Sequence, residues 1–344
     1  MTNSELIEAT DRGLYCRTGD FYIDPWQPVD RAVITHAHGD HAHPGCQHYL
    51  TTRAGEELLR LRLGSDASMQ TAAYGEELTL GRTRVSLHPA GHILGSAQVR
   101  VGLAGETWVV SGDYKVEPDS TCDAFESMRC HAFVTESTFG LPIYRWPHQT
   151  GVFADVHAWW RTNQEAGKAS LMFAYALGKA QRLLAGLDPD TGPIFTHGAV
   201  EKVNAVYAAA GIRLPFTRHV GTVERGNSWE RALIVAPPSA RGTPWTRRFG
   251  AVSTAFLSGW MQIRGTRRRR AVDRGFVLSD HADWTGLLGA IQATGADRVR
   301  VTHGYAPVLA RWLAEQGIDA RALATRFEGE RDDANDLPTA EEEA

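Results

Sequence analysis

Apolar and polar positions alternate over short stretches at the beginning of the chain, which is the pattern of half-buried β-strands. Leu14–Trp26 predicts a hairpin that turns at Thr18–Gly19, and Arg31–Thr35 predicts a short apolar strand. Residues 54–63 instead have the spacing of an amphipathic helix. Further strands are expected at 85–88, 97–103, 107–111 and 133–136. The pattern therefore predicts a strand-rich first domain.

After Glu136 the pattern changes to strands that alternate with helices. A helix is expected over Val152–Ala166, a strand over Leu171–Tyr175, and a helix from Gly178 to Leu187. The alternation recurs at 193–197, 199–210 and 233–237, and then at 275–279, 284–293, 298–302 and 306–316. The order up to residue 237 is typical of a parallel α/β unit and predicts a second domain.

The composition limits the possible classes of protein. The 344 residues are 43% hydrophobic, which is enough for one large domain or two smaller ones. A net charge of −4 excludes a histone-like polycation, so contact with nucleic acid would need a local basic patch. We see no secretory signal and no apolar run of membrane-spanning length, and expect a cytoplasmic protein without a membrane partner. Four cysteines fit no C-x-x-C pairing and are expected to be buried thiols: Cys16, Cys46, Cys122 and Cys130.

The densest chemistry lies just after the predicted strand Arg31–Thr35. His36, His38, Asp40 and His41 place four possible metal ligands within six residues. His36 and His38 are two residues apart, so at an extended strand end both side chains point to one side. Imidazole and carboxylate ligands suit Zn²⁺ and also Mn²⁺ or iron. The motif therefore predicts a metal site rather than a solvated histidine loop.

This motif resembles the H-x-H-x-D-H signature of the metallo-β-lactamase superfamily, and the resemblance continues along the chain. Asp24 in FYIDP matches the aspartate that supports the metal loop from the preceding hairpin. His92 in PAGHILGSA matches the third histidine motif, and Asp113 in SGDYK matches the aspartate that bridges both metals. His88 competes with His92 for this role, but His92 is preferred because glycines on both sides let its loop approach the metal.

Three later motifs resemble the β-CASP branch of that superfamily, which includes Artemis-type DNA nucleases, ribonuclease J and the pre-mRNA 3′-end endonuclease. Glu136 in TEST matches its acidic motif, His281 in LSDHAD its second motif, and His303 in VTHGY its third. The segment FAYALGKAQRLL resembles the strand–Gly–helix segment of the β-CASP cap, and its Lys179 is expected to contact nucleic acid.

The resemblance implies an α/β fold: an αββα metallo-β-lactamase sandwich with an inserted α/β cap. The implied domains are the core over 1–140 and 256–327, the cap over 141–255, and an acidic, disordered tail over 328–344.

It also implies two divalent metal ions, Zn²⁺ or Mn²⁺. One would be held by His36, His38 and His92, the other by Asp40, His41 and His303, with Asp113 bridging. Attack by a bridging hydroxide would then cleave a phosphodiester, and His281 would assist the leaving oxygen. The expected catalytic residues are Asp40, Asp113, Glu136 and His281.

An arginine run lies shortly before His281 in the sequence. It comprises Arg264, Arg267, Arg268, Arg269 and Arg270. Because guanidinium groups bind phosphate oxygens in a bidentate manner, the run is interpreted as part of a nucleic-acid surface. A solvated loop or an ion-pair partner of the acidic tail stays open as an alternative.

The resemblance favours a metal-dependent DNA exonuclease in repair, with 5′ polarity, and implies a DNA ligase or helicase partner. The string SGWMQIRGTRRRRAVDRGFVLSDHADW resembles a bacterial group of DNA ligase-associated exonucleases. An RNA-processing nuclease stays open, because DNA-acting relatives usually have valine where this chain has His303. A non-catalytic nucleic-acid-binding subunit would lack metal ligands, and a small-molecule hydrolase would lack the long cap and the arginine run.

Overall fold

The computed structural model describes residues 5–224, 226–265 and 271–326. The described residues form two compact units. The first contains the chain up to Arg145 and again from His281, and the second contains Trp146–Asp280. Arg267–Arg270 and the expected acidic tail lie outside the described residues.

The first unit contains thirteen of the described strands and three helices. Its strands are β1 Glu8–Ala9, β2 Leu14–Cys16, β3 Phe21–Ile23, β4 Arg31–Val33, β5 His48–Thr52, β6 Met69–Ala72, β7 Leu78–Leu80, β8 Thr83–Pro89, β9 Ala97–Leu103, β10 Glu106–Val110, β11 Ala132–Thr135, and later β18 Arg298–Val301 and β19 Asp319–Ala322. Its helices are α1 Glu56–Leu63, and later α5 Trp284–Thr294 and α6 Ala306–Glu315.

The second unit contains six of the described strands and three helices. The strands are β12 Ala169–Phe173, β13 Ile194–Thr196, β14 Arg218–His219, β15 Leu233–Ala236, β16 Val252–Leu257 and β17 Arg274–Phe276. The helices are α2 Gln149–Glu165, α3 Lys179–Ala185 and α4 Gly198–Ala209.

Two sheets form the core of the first unit. One has the strand order β1-β2-β3-β4-β5-β6 and the other β19-β18-β11-β10-β9-β8-β7. Side chains of both sheets share one apolar cluster, which includes Ile23 and Val33 of the first sheet and Trp108 and Val110 of the second. Because successive side chains of a strand point to opposite faces, Val109 belongs to a different cluster, which α5 and α6 cover. The expected sandwich with helices on the outer face of the second sheet is therefore confirmed.

Strand direction gathers the ends of four strands at one edge of the second sheet. β10 runs parallel to β11, and β11 runs parallel to β18. β8 is antiparallel to β9, which is antiparallel to β10, so β8 has the same direction as β10. The carboxyl ends of all four strands therefore lie at the same edge. The backbone N–H of Ala97 donates to the carbonyl of Thr35 (2.8 Å), which joins this edge to the loop after β4.

The second unit is built on a parallel sheet with the order β14-β13-β15-β12-β16-β17. Both faces are apolar: Met172 of β12 lies in the cluster that α2, α3 and α4 cover, whereas Leu171 and Phe173 lie in the cluster on the other face. The strands are buried on both faces, as parallel sheets require.

The second unit extends beyond the expected cap boundary at residue 255. β16 pairs with β12 along its whole length, and β17 pairs with β16. Apolar residues of β16 enter both clusters of this unit, for example Phe256 and Leu257. Residues 256–280 therefore belong to the second unit rather than to the core, because their strands complete its sheet.

The four cysteines agree only in part with the expectation of buried thiols. All four cysteines are free; Cys16, Cys46 and Cys130 are buried, while Cys122 is half-buried. Within the described ranges, no helix has the length and apolar character needed to cross a membrane.

Candidate metal centre

Two groups of histidines and aspartates meet at the edge where the strands of the second sheet end. His36 and His38 lie in the loop after β4, and His92 lies in the loop after β8. Nδ1 of His38 is 3.1 Å from Nε2 of His36 and 3.0 Å from Nε2 of His92. Oδ2 of Asp113, which follows β10, is 3.6 Å from Nε2 of His36 and 3.9 Å from Nε2 of His92. These four side chains form the first candidate ligand group.

The second group comprises Asp40, His41 and His303. Nε2 of His41 is 3.2 Å from Nε2 of His303 and 3.7 Å from Oδ2 of Asp40. Asp113 also approaches this group, with Oδ2 3.4 Å from Nε2 of His41 and Oδ1 3.8 Å from Nε2 of His303. One buried carboxylate therefore lies next to both groups, as a bridging ligand would.

Hydrogen bonds at Nδ1 fix the tautomers of three of these histidines. Thr35 Oγ1 donates to Asp24 Oδ2 (2.6 Å), so its single proton is used and it must accept from Nδ1 of His36 (3.0 Å). Nδ1 of His41 donates to Asp24 Oδ2 (2.7 Å), because an ionised carboxylate only accepts. Each neutral ring therefore presents the lone pair of its Nε2 to the centre.

His303 follows the same arrangement on the other side of the centre. Thr302 Oγ1 donates to the carbonyl of Thr135 (3.3 Å) and accepts from Nδ1 of His303 (2.8 Å). Nε2 of His303 then also carries a lone pair, and it faces that of His41. Two lone pairs at this separation repel each other unless a cation or a proton lies between them.

The donor set therefore fits divalent cations. Oδ1 of Asp113 is buried and has no hydrogen-bond partner among the described residues, which suits an oxygen that coordinates a metal. Burial alone lowers the pKa of His41, but Asp113, Asp40 and Asp24 outweigh burial and raise it well above the usual value. Burial lowers the pKa of His303 to about 4. Burial likewise holds the pKa of His36 well below the usual value, and a neutral imidazole is the form that binds metal.

Asp24 is the main support of the loop after β4. It is buried, and it accepts hydrogen bonds from the backbone N–H of Thr35 (2.8 Å), the hydroxyl of Thr35 and Nδ1 of His41. Its φ of 44° places it in the left-handed region, which aspartate tolerates better than most residues. Partners of this kind orient a ligand imidazole and increase its basicity.

His303 is held in a strained backbone conformation. Its φ is 58°, in the left-handed region that side chains rarely adopt. The single hydroxyl proton of Ser137 is shared between the carbonyls of Thr302 (Oγ···O 2.9 Å) and His303 (2.6 Å). At Gly304 a Cβ would lie 2.4 Å from the carbonyl oxygen of Ser137, so only glycine fits there. The surrounding loop therefore maintains a conformation that isolated histidine would avoid.

Glu136 and His281 form a buried pair beside Asp113. Nδ1 of His281 lies 2.9 Å from both carboxylate oxygens of Glu136. The backbone N–H groups of Tyr114 (2.8 Å) and Thr138 (3.3 Å) donate to the same carboxylate and hold it in place. Nε2 of His281 is then directed to within 4.0 Å of Oδ2 of Asp113. The pair could hold a proton at Nε2 for an atom bound at the centre.

Other predicted site residues lie elsewhere. His88 is a half-buried residue of β8 that contacts Glu126 Oε1 (3.1 Å), and it belongs to neither ligand group. Lys179, which was expected to contact nucleic acid, is buried and donates to Asp280 Oδ1 (2.6 Å). Arg264 is exposed, and the rest of its run lies outside the described residues.

The sequence analysis missed the two threonines that orient ligand histidines. Thr35 precedes His36 and Thr302 precedes His303, and in both places an apolar strand leads directly into the Thr-His pair. The repeated Thr-His dipeptide at a strand end was the sequence signal that could have identified both threonines.

Comparisons with known proteins agree with the site. No family model matches the chain. It is 32% identical to a probable DNA ligase of Opitutus terrae over 317 residues, which are 90% of this chain and 30% of the relative. It is 27% identical to the endoribonuclease ysh-1 of Neurospora crassa over 190 residues, which are 51% of this chain and 22% of the relative. The chain thus spans less than a third of the length of these two relatives.

A solved structure shows the same fold at low sequence identity. A protein of unknown function from Enterococcus faecalis superposes with a TM-score of 0.55 and 10% identity, over 81% of this chain and 76% of the other. The two-sheet sandwich, the two ligand groups and the two relatives together define a protein of the metallo-β-lactamase superfamily. The chain belongs to the β-CASP branch of that superfamily, because Glu136, His281 and His303 stand at its motifs and an α/β unit separates the first two.

Proposed function

We propose that the protein is a metal-dependent phosphodiesterase that degrades DNA as an exonuclease. The observation that carries the proposal is the shared position of Asp113. It lies next to two ligand groups and also next to His281, so a phosphate bound there would meet the ligands of both metals and a proton donor.

The residues of the centre divide into two tasks. His36, His38 and His92 would hold one cation, and Asp40, His41 and His303 the other, with Asp113 between them. Two such cations, Zn²⁺ or Mn²⁺, supply Lewis-acid stabilisation of the phosphate and make a bound water more acidic.

His281 and Glu136 would carry out the proton transfer. Glu136 accepts from Nδ1 of His281 and stabilises the imidazolium form, so Nε2 can donate a proton to the leaving oxygen. Burial raises the pKa of Glu136, yet the two backbone N–H groups and His281 favour its anionic form.

A polyanionic substrate agrees with the charge distribution. Residues 146–280 contain 18 Lys and Arg against 9 Asp and Glu, whereas the rest of the chain contains 18 against 31. The second unit is therefore the basic part of an otherwise acidic protein. A basic domain attached to an acidic catalytic core is the electrostatic pattern expected for binding a phosphate backbone.

The choice between DNA and RNA depends on two opposing observations. The relative from Opitutus terrae is named a probable DNA ligase, which favours DNA, a role in repair and a ligase or helicase partner. The endoribonuclease relative and the histidine at position 303 favour RNA instead. We propose 5′-directed DNA degradation in the cytoplasm as the main function and RNA processing as the second candidate.

An end-label assay tests the proposal. Purified protein is incubated with matched single-stranded DNA and RNA, each labelled at one end, with Zn²⁺ or Mn²⁺ and in parallel with chelator. We expect stepwise shortening of DNA that chelator abolishes, and the position of the label gives the polarity. Asp113→Ala should show no turnover while keeping the circular dichroism of the parent. Preferential cleavage of RNA would select the second candidate, and parental rates in Asp113→Ala would refute the mechanism.

A further inference from the structure

Helix α1 touches both loops that carry the first ligand group. At its beginning, Thr52 Oγ1 accepts from the backbone N–H of Gly55 (3.0 Å) and donates to the carbonyl of Gly95 (2.6 Å) in the loop of His92. At its end lies Arg62, in the last turn. The helix therefore connects with the His92 loop at one end.

Arg62 makes the corresponding connection with the loop of His36 and His38. Its Nε donates to the carbonyl oxygen of Ala37, the residue between those two ligands. Its guanidinium also covers Gly39: a Cβ built there would lie 2.9 Å from Nη1 and 3.5 Å from Cζ. The arginine thus holds the backbone between two ligands and occupies the space that a side chain at position 39 would need.

We propose that Arg62 is a positioning residue that sets the metal affinity of the centre by fixing the ligand loop before metal binds. The inference rests on the metal centre of the proposed function, but not on cleavage of a phosphodiester. Its bond to the carbonyl of Ala37 acts on the main chain of the ligand loop.

The physical reason is the irregular backbone of this loop. The residues from His36 to Asp40 belong to neither a strand nor a helix, so the ladder bonds that fix strand residues are missing here. Rotation of the peptide after Ala37 would move the imidazole of His38 away from those of His36 and His92. Removing a partner that orients metal ligands typically lowers metal affinity ten- to a hundredfold.

Arg60 supplies a matched control on the same helix. Its guanidinium bonds Glu56 (2.7 Å) and the carbonyl of Ser65 (2.9 Å), and no described bond connects it with a ligand loop. Zn²⁺ affinity is measured by competition with a chromogenic chelator for the parent, Arg62→Met, Arg62→Lys and Arg60→Met. We expect a ten- to hundredfold loss for Arg62→Met, a smaller loss for Arg62→Lys, and a change within about twofold for Arg60→Met.

Position 39 tests the same contact from the other side. Gly39→Ala should weaken Zn²⁺ binding because its Cβ displaces the guanidinium, and it should add little in an Arg62→Met background. Such non-additivity is the signature of two residues in contact. Parental affinity in Arg62→Met, or full additivity with Gly39→Ala, would overturn the inference. If Arg62→Met does not fold, Arg62→Lys and Gly39→Ala decide it, since an unchanged affinity in both would also refute it. A parent protein that binds no Zn²⁺ would refute the metal centre itself.

Discussion

Replacing Asp24 by asparagine should remove metal from the second ligand group without disturbing the fold. The carboxylate accepts three hydrogen bonds, from the N–H and hydroxyl of Thr35 and from Nδ1 of His41. An asparagine amide has only one accepting oxygen. If its NH₂ faces His41, two donors meet and the ring must change tautomer, which places a proton on the Nε2 that should bind metal.

The other orientation of the amide is no better. Its NH₂ would then face the backbone N–H of Thr35, which cannot change its role. Either way one charge-assisted hydrogen bond is lost, at a cost of roughly 1.5–3 kcal/mol. Since about 1.4 kcal/mol corresponds to a factor of ten, we expect Zn²⁺ affinity at the second group to fall roughly ten- to a hundredfold.

Asp20 provides the control for this substitution. It also has a left-handed φ, 55° against 44° for Asp24, and its Oδ1 accepts from the hydroxyl of Tyr15 (3.0 Å) at the exposed end of the same hairpin. Asparagine suits that backbone conformation in both places. Titration with Zn²⁺ should give two bound equivalents for the parent and Asp20→Asn, and one tight equivalent for Asp24→Asn. Two equally tight equivalents in Asp24→Asn would refute the tautomer argument.

Three further predictions concern catalysis, metal and pH. Glu136→Gln should lower kcat by roughly a hundredfold or more, because the imidazolium of His281 loses its counter-ion, while the Zn²⁺ content stays unchanged; parental kcat would exclude His281 as the acid. Adding Zn²⁺ should raise the melting temperature, and chelator should reverse this rise. At a hundredfold excess of Zn²⁺ over the Kd, the free energy of unfolding should increase by about 2.7 kcal/mol. An unchanged melting temperature would contradict a preformed centre. Burial raises the pKa of Glu106, but hydrogen bonds from Trp108 and Arg298 outweigh it and lower the pKa overall. The stabilising effect is therefore present above the ordinary glutamate pKa of about 4.3 and is lost as the pH falls through the lower folded value. The stability difference between the parent and Glu106→Gln should shrink between pH 6 and pH 3, and a constant difference would contradict this assignment.

The structure brings the expected ligands together because the motif residues stand where strands end. His92, Asp113 and His303 follow strands that the apolar runs mark clearly, and parallel direction brings those ends to one edge. The residues that orient the ligands were harder to predict. Arg62 lies on α1, and its contact with the loop of His36 depends on tertiary packing that no local spacing encodes.

Two expectations depended on pairing and packing that the sequence did not reveal. The family resemblance implied that the cap ends at residue 255, yet β16 and β17 complete the sheet of the second unit. Lys179 was expected to contact nucleic acid because it lies in the segment that resembles the β-CASP cap. Its ammonium instead lies over the ring of Tyr175 and pairs with Asp280 inside the second unit. Buried charges need such partners, and the partner of Lys179 is about a hundred residues away in the sequence.

The Thr-His pairs suggest why this centre should attract cations. At both sites the threonine hydroxyl donates its single proton to a group outside the centre. Thr35 donates to Asp24, and Thr302 donates to the carbonyl of Thr135. The following histidine must then donate from Nδ1, and its Nε2 lone pair points inward. The two pairs come from different sheets, so their lone pairs converge only when the sandwich has formed. Folding therefore assembles a cluster of lone pairs around Asp113, and binding cations relieves the repulsion that folding creates.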